Sequence, residues 1–235
     1  MTRVCRTIAI VLGVLIFSSI DEPFANTAAG GAGFTVVVTP GGSVWTWGAN
    51  TNGQLGDGTT TAHTTPAVIS TLSSVTHVAS GASHTIALKN DGTVWAWGAN
   101  SFGQLGDQTT IQRTSPVQVY GLTSIVAIAA GENHGVALTS GGAVWVWGKN
   151  TSGQIGDGTT TQSNQPVLVS TLSNITAIGA GYNHTLAVKN DGTVWAWTGG
   201  PGDGAQTMPL SLARAATRKR SAPEHLNSSR PRPRR

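Results

Sequence analysis

Short apolar runs alternate with turn-forming residues along most of the chain, and the pattern recurs every 50 residues. In one copy, residues 85–88 and 93–97 are rich in β-branched and aromatic residues, and residues 89–92 separate them. The Asp-Gly pair in this separator supplies the positive φ that a tight hairpin needs. The stretch therefore predicts two antiparallel strands.

Two more strands are predicted in each repeat. One apolar run begins at Pro116, and proline suits the first position of a strand because it lacks a backbone donor. A second run covers residues 124–129. Four strands per 50 residues is the content of one propeller blade. The pattern thus predicts an all-β chain with complete blades at 66–98, 116–148 and 166–198.

Tryptophans mark the repeat most clearly. All eight lie in the second hairpin strand, as Trp45, Trp47, Trp95, Trp97, Trp145, Trp147, Trp195 and Trp197. Successive strand residues point to opposite faces, so Trp95 and Trp97 lie on one face while Val94 and Ala96 lie on the other. Both faces are apolar, which is typical of a sheet packed between two neighbours. We assign all eight tryptophans to the structural core of a unit copied in tandem.

The repeat also has a characteristic loop motif. Gly-Gln-Leu-Gly-Asp stands at 53–57 and 103–107, and Gly-Gln-Ile-Gly-Asp at 153–157. With the histidine and tryptophan positions that precede it, this motif resembles the repeat of the regulator of chromosome condensation family, over residues 31–197. The resemblance implies a β-propeller, usually of about seven four-stranded blades. It does not imply a single activity.

The number of repeats predicts an incomplete propeller. Units are assigned to residues 34–83, 84–133, 134–183 and, in part, 184–212. Three complete blades, a first hairpin at 34–48 and a remnant strand at 209–212 make a truncated ring. An open arc leaves the apolar faces of its end blades uncovered, so we expect self-association. The alternative is a closed four-bladed ring in which 209–212 pairs beside the first hairpin.

The amino-terminal segment has the layout of a secretory signal peptide. Arg3 and Arg6 precede an apolar run at 8–20, and small residues follow at 25–30. The apolar run is shorter than the roughly 20 residues that a membrane-spanning helix needs. We therefore predict that residues 1–29 direct export, with cleavage near 25–29, to a secreted or cell-surface location. An uncleaved membrane anchor is the alternative.

Charge is concentrated at the carboxyl terminus. Residues 31–197 hold four basic and six acidic side chains, whereas residues 198–235 hold eight basic and two acidic ones. The repeats are therefore not predicted to bind nucleic acid. Residues 213–235 are rich in arginine, proline and serine, which predicts a disordered basic tail. A functionless or frameshifted end is one interpretation of this tail, and a basic arm for nucleic acid or an anionic surface is the other.

Equivalent histidines stand in three repeats, at His84, His134 and His184, and Phe34 replaces them in the first. Histidine is a common zinc ligand, but equivalent positions on successive blades are spread around a ring and cannot converge on one ion. We expect these histidines to belong to the structural core and to bond backbone between blades. No metal is predicted at them.

An aspartate ends each loop motif, at Asp57, Asp107 and Asp157. Calcium collects about six to eight oxygens, and each of these loops offers one carboxylate. We therefore expect each aspartate to cap its own loop by an Asx-type hydrogen bond. The sequence predicts no cofactor.

Candidate binding residues are those that differ between repeats in the loops. They are His63, Gln112, Arg113, Tyr120, Glu132, Lys149, Asn164 and Tyr182. Variable loops on a fixed repeat scaffold are where such proteins recognise partners. No group of unlike reactive residues interrupts the period, so no catalytic residue is predicted. We interpret the chain as a non-catalytic propeller that binds an unknown protein. Guanine-nucleotide exchange on a small GTPase is the alternative that the resemblance suggests.

Overall fold

The computed structural model describes residues 28–198, and the regular secondary structure in this range consists of strands alone. Fifteen strands form four antiparallel sheets, of which three have four strands and one has three. No helix among the described residues is long and apolar enough to cross a membrane. The predicted all-β propeller fold is confirmed. The strand predicted at 209–212 and the tail lie outside the described residues, as do residues 1–27.

Each sheet is one blade, and its strands lie side by side in chain order. Blade 1 contains β1 (Ala28–Gly30), β2 (Phe34–Val38), β3 (Val44–Gly48) and β4 (His63–Val68). Blade 2 contains β5 (Val75–Ser80), β6 (His84–Lys89), β7 (Val94–Gly98) and β8 (Arg113–Gln118). Blade 3 contains β9 (Ile125–Ala130), β10 (His134–Thr139), β11 (Val144–Gly148) and β12 (Ser163–Leu168). Blade 4 contains β13 (Ile175–Ala180), β14 (Thr185–Lys189) and β15 (Val194–Trp197).

The predicted hairpins are present in all four blades. In blade 2, Ile86 of β6 pairs with Ala96 of β7, and Gly92 in the turn has a φ of 78°. Asp91 accepts hydrogen bonds from the backbone N–H and the hydroxyl of Thr93, at 3.0 and 2.6 Å. The Asp-Gly turn thus works as its residue types predict.

The predicted blade boundaries are wrong by one strand. The strand that contains Pro66 pairs with β3 of its own hairpin, through Trp45 with Val68 and Thr46 with Ala67. The long loop 49–62 brings the chain back along the edge of the preceding hairpin, which strand spacing alone does not reveal. This outer strand has one neighbour, where a missing backbone donor is tolerated. Blades therefore span 28–68, 75–118, 125–168 and 175–197 rather than 66–98, 116–148 and 166–198.

Blade 1 is consequently a complete four-stranded sheet and not the single hairpin that was predicted. Its innermost strand, β1, pairs Ala28 with Val37 and Ala29 with Val36. Both alanines fall within the predicted signal segment. They stand 50 residues before Val78 and Ala79 of β5, so the repeat begins earlier than the tryptophan pattern indicates.

Consecutive blades pack through three hydrophobic cores of the same design. Each core combines the aliphatic face of one blade with the tryptophan face of the next. In the first core, Val36 and Val44 of blade 1 pack with Ala87 and Trp97 of blade 2. Trp147 and Trp197 occupy the same place in the second and third cores. Burial of these faces against each other is the main stabilising term that the fold offers.

The blades form an open arc. The main strand contacts between sheets join consecutive blades, such as β1 with β5, β5 with β9 and β9 with β13. No blade precedes blade 1 among the described residues, and Trp45 is therefore 37% exposed and Trp47 half-buried, contrary to their predicted core position. The incomplete propeller is confirmed for the described residues.

Candidate protein-binding face

The arc has two faces with different loops. The short bends 31–33, 81–83, 131–133 and 181–183 and the long loops 49–62, 99–112 and 149–162 lie at one face, which we call the loop face. The hairpin turns and the connectors between blades lie at the other, the hairpin face. Pairing of His84 with Gly98 places bend 81–83 beside loop 99–112 and shows that they share one end of the sheet.

A ladder of backbone hydrogen bonds, which we call the rim ladder, joins the bends of successive blades. Ala32 N–H donates to Ala82 O at 2.9 Å, and Ala82 N–H donates to Glu132 O at 3.0 Å. Glu132 N–H then donates to Tyr182 O at 3.2 Å. Because buried backbone groups need partners, the ladder fixes the bends relative to each other. It holds Glu132 and Tyr182 on neighbouring blades at the inner rim of the loop face.

One asparagine organises each long loop. Asn100 accepts a hydrogen bond from Leu105 N–H at 2.9 Å, and its amide nitrogen donates to Asp107 Oδ1, Thr109 O and Ile111 O at 3.0–3.1 Å. Asn50 and Asn150 make the corresponding bonds. All three asparagines are buried. Hydrogen bonds within each long loop therefore hold it in one conformation.

A glutamine fixes each loop to the next blade. The backbone carbonyl of Gln104 accepts a hydrogen bond from the indole N–H of Trp147 at 2.9 Å. The backbone carbonyls of Gln54 and Gln154 accept the same bond from Trp97 and Trp197. Thr85 and Thr185 donate their hydroxyls to the same carbonyls of Gln54 and Gln154. Each loop therefore bridges two blades, and its variable residues are presented on a rigid support.

The loop aspartates cap their loops as Asx turns. Asp57, Asp107 and Asp157 each accept from the backbone N–H two residues later, at 2.9–3.1 Å. Burial opposes ionisation of Asp57 and Asp107, but hydrogen bonds from Thr59 and Thr109 outweigh it and hold the pKa of both carboxyls below 3.8. Among residues 28–198, no group of three or more histidine, cysteine or acidic residues is placed to hold a metal ion.

Two variable residues pair with these aspartates. Arg113 Nε and one terminal nitrogen lie 2.9 and 2.8 Å from Asp107 Oδ2. His63 occupies the same repeat position in blade 1, with Nε2 3.3 Å from Asp57 Oδ2. Both are the first residues of outer strands. Their side chains therefore brace the long loops, and their part in partner binding stays a prediction.

The repeat histidines lie between blades. His134 Nε2 is 3.1 Å from the Thr185 hydroxyl of the next blade, so the predicted backbone partner is replaced by a side chain. His84 has no corresponding hydroxyl because Gly135 stands at that position of blade 3. Burial lowers the pKa of His84 to about 3 and that of His134 to about 4, with help from the neighbouring histidine. Both rings remain neutral at physiological pH.

Three predicted residues meet at the inner rim of blades 3 and 4. Lys149 Nζ lies 3.7 Å from Glu132 Oε2, and a hydrogen bond to Glu132 raises the pKa of Tyr182. Lys149 also lies over the ring of Phe102, 5.4 Å from its centroid. Tyr182 is 66% exposed. We call Phe102, Glu132, Lys149 and Tyr182 the rim cluster.

The other predicted residues are more dispersed. Gln112 is exposed and lines a depression between loops 49–62 and 99–112. Asn164 exchanges hydrogen bonds with the backbone of Gln108 in the preceding blade, at 2.9 Å in each direction. Tyr120 lies in a connector on the hairpin face. The structure therefore places seven of the eight predicted residues at the loop face and Tyr120 on the opposite one.

Phe102 was missed by the sequence analysis. It varies between repeats, where Asn52 and Ser152 take its place, and this variation is the signal that would have found it. The rim ladder gives no sequence signal, because its atoms are backbone. Contact between residues 132, 149 and 182 depends on how blades converge, which a linear pattern does not contain.

The fold and loop motif agree with a known family. The RCC1-like domain matches residues 14–231, and the chain belongs to this family. The chain is similar to yeast RCC1 (Prp20) solved with Kap60, at 24% identity and a TM-score of 0.65. It is also similar to human WBSCR16, at 23% identity and a TM-score of 0.66. Prp20p from Saccharomyces cerevisiae matches at 23% identity and a TM-score of 0.63.

These solved structures are about twice as long as the matched region. The matches cover 79%, 76% and 76% of this chain and 45%, 48% and 46% of the respective structures. The chain thus spans about half the length of these relatives. At such identities the likeness establishes the fold alone. Among curated protein sequences, none matches this chain.

Proposed function

We propose that the protein is an exported, non-catalytic interaction module that binds a protein partner through its loop face. The rim cluster is the observation that carries this proposal. It combines an exposed tyrosine, a lysine over an aromatic ring and a carboxylate, and these four side chains stand on four separate loop-face segments. Tyrosine is among the residues enriched at protein interfaces and at the positions that dominate their binding energy.

Rigidity of the support strengthens this assignment. The ladder through Ala32, Ala82, Glu132 and Tyr182 fixes the bends, and the loop asparagines are buried and bonded. A surface that is ordered before binding loses little conformational entropy on association. Tyr182 has two flexible side-chain torsions, so its exposed ring offers contact area at low cost.

Solved relatives also bind proteins. Yeast RCC1 (Prp20) is bound to Kap60, and Prp20p has binding properties toward Gsp1p and histones. We carry over only the class of partner, a protein, and not its identity. Export rests on the amino-terminal segment described above, with basic residues, an apolar run and small residues in order. An extracellular or cell-surface partner fits this location.

Guanine-nucleotide exchange on a small GTPase is the second candidate, and the binding of Prp20p to Gsp1p is the observation in its favour. A nucleotide-release assay with a panel of small GTPases separates the two. We expect release rates equal to those without the protein. Accelerated release that Tyr182→Ala abolishes would establish exchange instead of simple binding.

Affinity capture with matched variants tests the binding face. Immobilised full-length protein would be incubated with extracellular protein extracts, beside Tyr182→Ala and Tyr120→Ala. Both tyrosines are exposed, at 66% and 55%, but they lie on opposite faces. We expect Tyr182→Ala to lower recovery of the main bound protein at least about 10-fold, as for an interface anchor. Loss with Tyr120→Ala and retention with Tyr182→Ala would assign binding to the hairpin face instead.

A further inference from the structure

The three interfaces between blades are built from two unlike surfaces. One is the tryptophan face of a blade, and the other is the aliphatic face of the blade before it. In the third core, the aliphatic side chains Val136, Leu138, Val144 and Val146 of blade 3 pack against Trp197 of blade 4. All five of these side chains are at most 3% exposed. In all three interfaces, therefore, a tryptophan face is covered by an aliphatic face and the reverse.

Within residues 28–198, one face of each kind has no covering blade. The tryptophan face of blade 1 presents Thr35, Val37, Trp45 and Trp47, which are half-buried or, for Trp45, exposed. The aliphatic face of blade 4 presents Leu186, Val188, Val194 and Ala196, all of them half-buried. Their equivalents in blades 2 and 3 are buried, except Trp95 and Trp145, which are half-buried. The two uncovered faces are the complementary halves of the repeated interface.

Polar groups at the two faces are complementary as well. His134 lies 3.1 Å from the hydroxyl of Thr185 on the following blade. His184 on blade 4 and Thr35 on blade 1 are the same pair of residue types, each without its partner among the described residues. The rim ladder likewise leaves Tyr182 N–H and Ala32 O as its two open ends within residues 28–198. Joining blade 4 to another blade 1 extends both patterns.

We propose that a second copy of this chain covers both faces, head to tail. The aliphatic face of blade 4 in one copy packs against the tryptophan face of blade 1 in the other, and a two-fold axis repeats the contact. Each copy then has both ends covered, and the ring closes with eight blades. Propellers of about four to eight blades are known, so this closure lies within the range of the fold. Closed symmetry of this kind also ends growth at two copies.

A complementation experiment tests this arrangement. In Trp45→Glu the tryptophan face of blade 1 carries a charge, and in Leu186→Glu the aliphatic face of blade 4 does. Either variant alone lacks both contacts, because each contact needs one face of each kind. A mixture of the two variants restores one contact, between blade 4 of the first and blade 1 of the second. We measure mass by light scattering on the full chain.

The expected masses are two copies for the wild type, one for each variant and two for their equimolar mixture at elevated concentration. Tyr120→Glu is the matched control, since it adds the same charge to an exposed aromatic residue away from both faces, and it should keep two copies. Circular dichroism establishes folding, and Val37→Glu and Val194→Glu replace any variant that does not fold.

Four results would overturn the proposal. A monomeric wild type means that another segment of the chain, or nothing, covers the faces. Growth to many copies with rising concentration means that the contact forms without two-fold closure. Dimerisation of either single variant means that like faces pair with each other. Failure of the mixture to associate, with both variants folded, would also exclude the head-to-tail contact.

Discussion

At the scale of single residues, the two tryptophans of a repeat have different structural roles. Trp97, Trp147 and Trp197 are at most 1% exposed and donate to a loop carbonyl of the preceding blade. Trp95 and Trp195 are half-buried and donate to a threonine of their own turn. The first kind joins blades, and the second covers the rim of the interface.

This difference predicts unequal costs of truncation. Trp97→Ala should lower the free energy of unfolding by about 3–5 kcal/mol, the range for a large aromatic removed from a core. Trp95→Ala should cost about 1–2 kcal/mol, because its ring buries less apolar area. Chemical denaturation of both variants measures the difference. Equal losses would contradict the assignment of Trp97 to the joining position.

The buried histidines predict a pH dependence of stability. The pKa values of His84 and His134 are lowered from 6.5 to about 3 and about 4, so between these values and 6.5 the unfolded chain binds protons that the folded chain does not. Stability therefore falls as the pH drops below 6.5, by up to about 1.4 kcal/mol per pH unit for each histidine. Denaturation between pH 7 and 4.5 measures the slope above the range where carboxyls titrate.

A matched variant separates this effect from other titrations. Phe34 is the natural counterpart of the histidines in blade 1 and is buried to the same degree. His84→Phe should fold and should lower the pH slope by up to about 1.4 kcal/mol per pH unit. The slope that remains comes from His134 and from His77, whose pKa burial also lowers. A slope unchanged from the wild type would contradict a neutral, buried His84.

At the scale of elements, the inner strand of blade 1 limits where the predicted signal segment could be cleaved. Ala28–Gly30 form β1 and pair with β2, whose other side pairs with β3. Cleavage within 25–29, as the sequence predicts, would remove part of β1 if it fell after Ala28. We therefore expect cleavage before Ala28, and mass spectrometry of the exported chain identifies the bond. A mature chain that begins after Gly30 would show that β1 is dispensable.

Hairpins were predictable because their signals are local. Asp91 and Gly92 specify their turn by residue type, and the strands on either side follow from alternation. Assignment of the Pro66 strand to its blade was not predictable, since it depends on the path of a long loop. The residues of the rim cluster were mostly identified by variation between repeats. Their proximity was not, because it arises from packing of blades 3 and 4.

At the scale of the whole molecule, three equal interfaces define an arc with two unlike faces, and we propose the loop face for recognition. The hairpin face repeats the same short turns, whereas the loop face carries most of the variation between copies. The described repeats have a small net negative charge, so recognition rests on the rim cluster and loops more than on long-range attraction.

Hydroxyl-radical footprinting of the protein bound to its captured partner tests directly whether the partner binds at the loop face. Aromatic side chains react readily when exposed, and the two faces hold aromatic residues of comparable accessibility, Tyr182 at 66% and Tyr120 at 55%. We predict that Tyr182 and Phe102 lose reactivity on binding while Tyr120 keeps it. Protection of Tyr120 with unchanged Tyr182 and Phe102 would contradict recognition through the loop face.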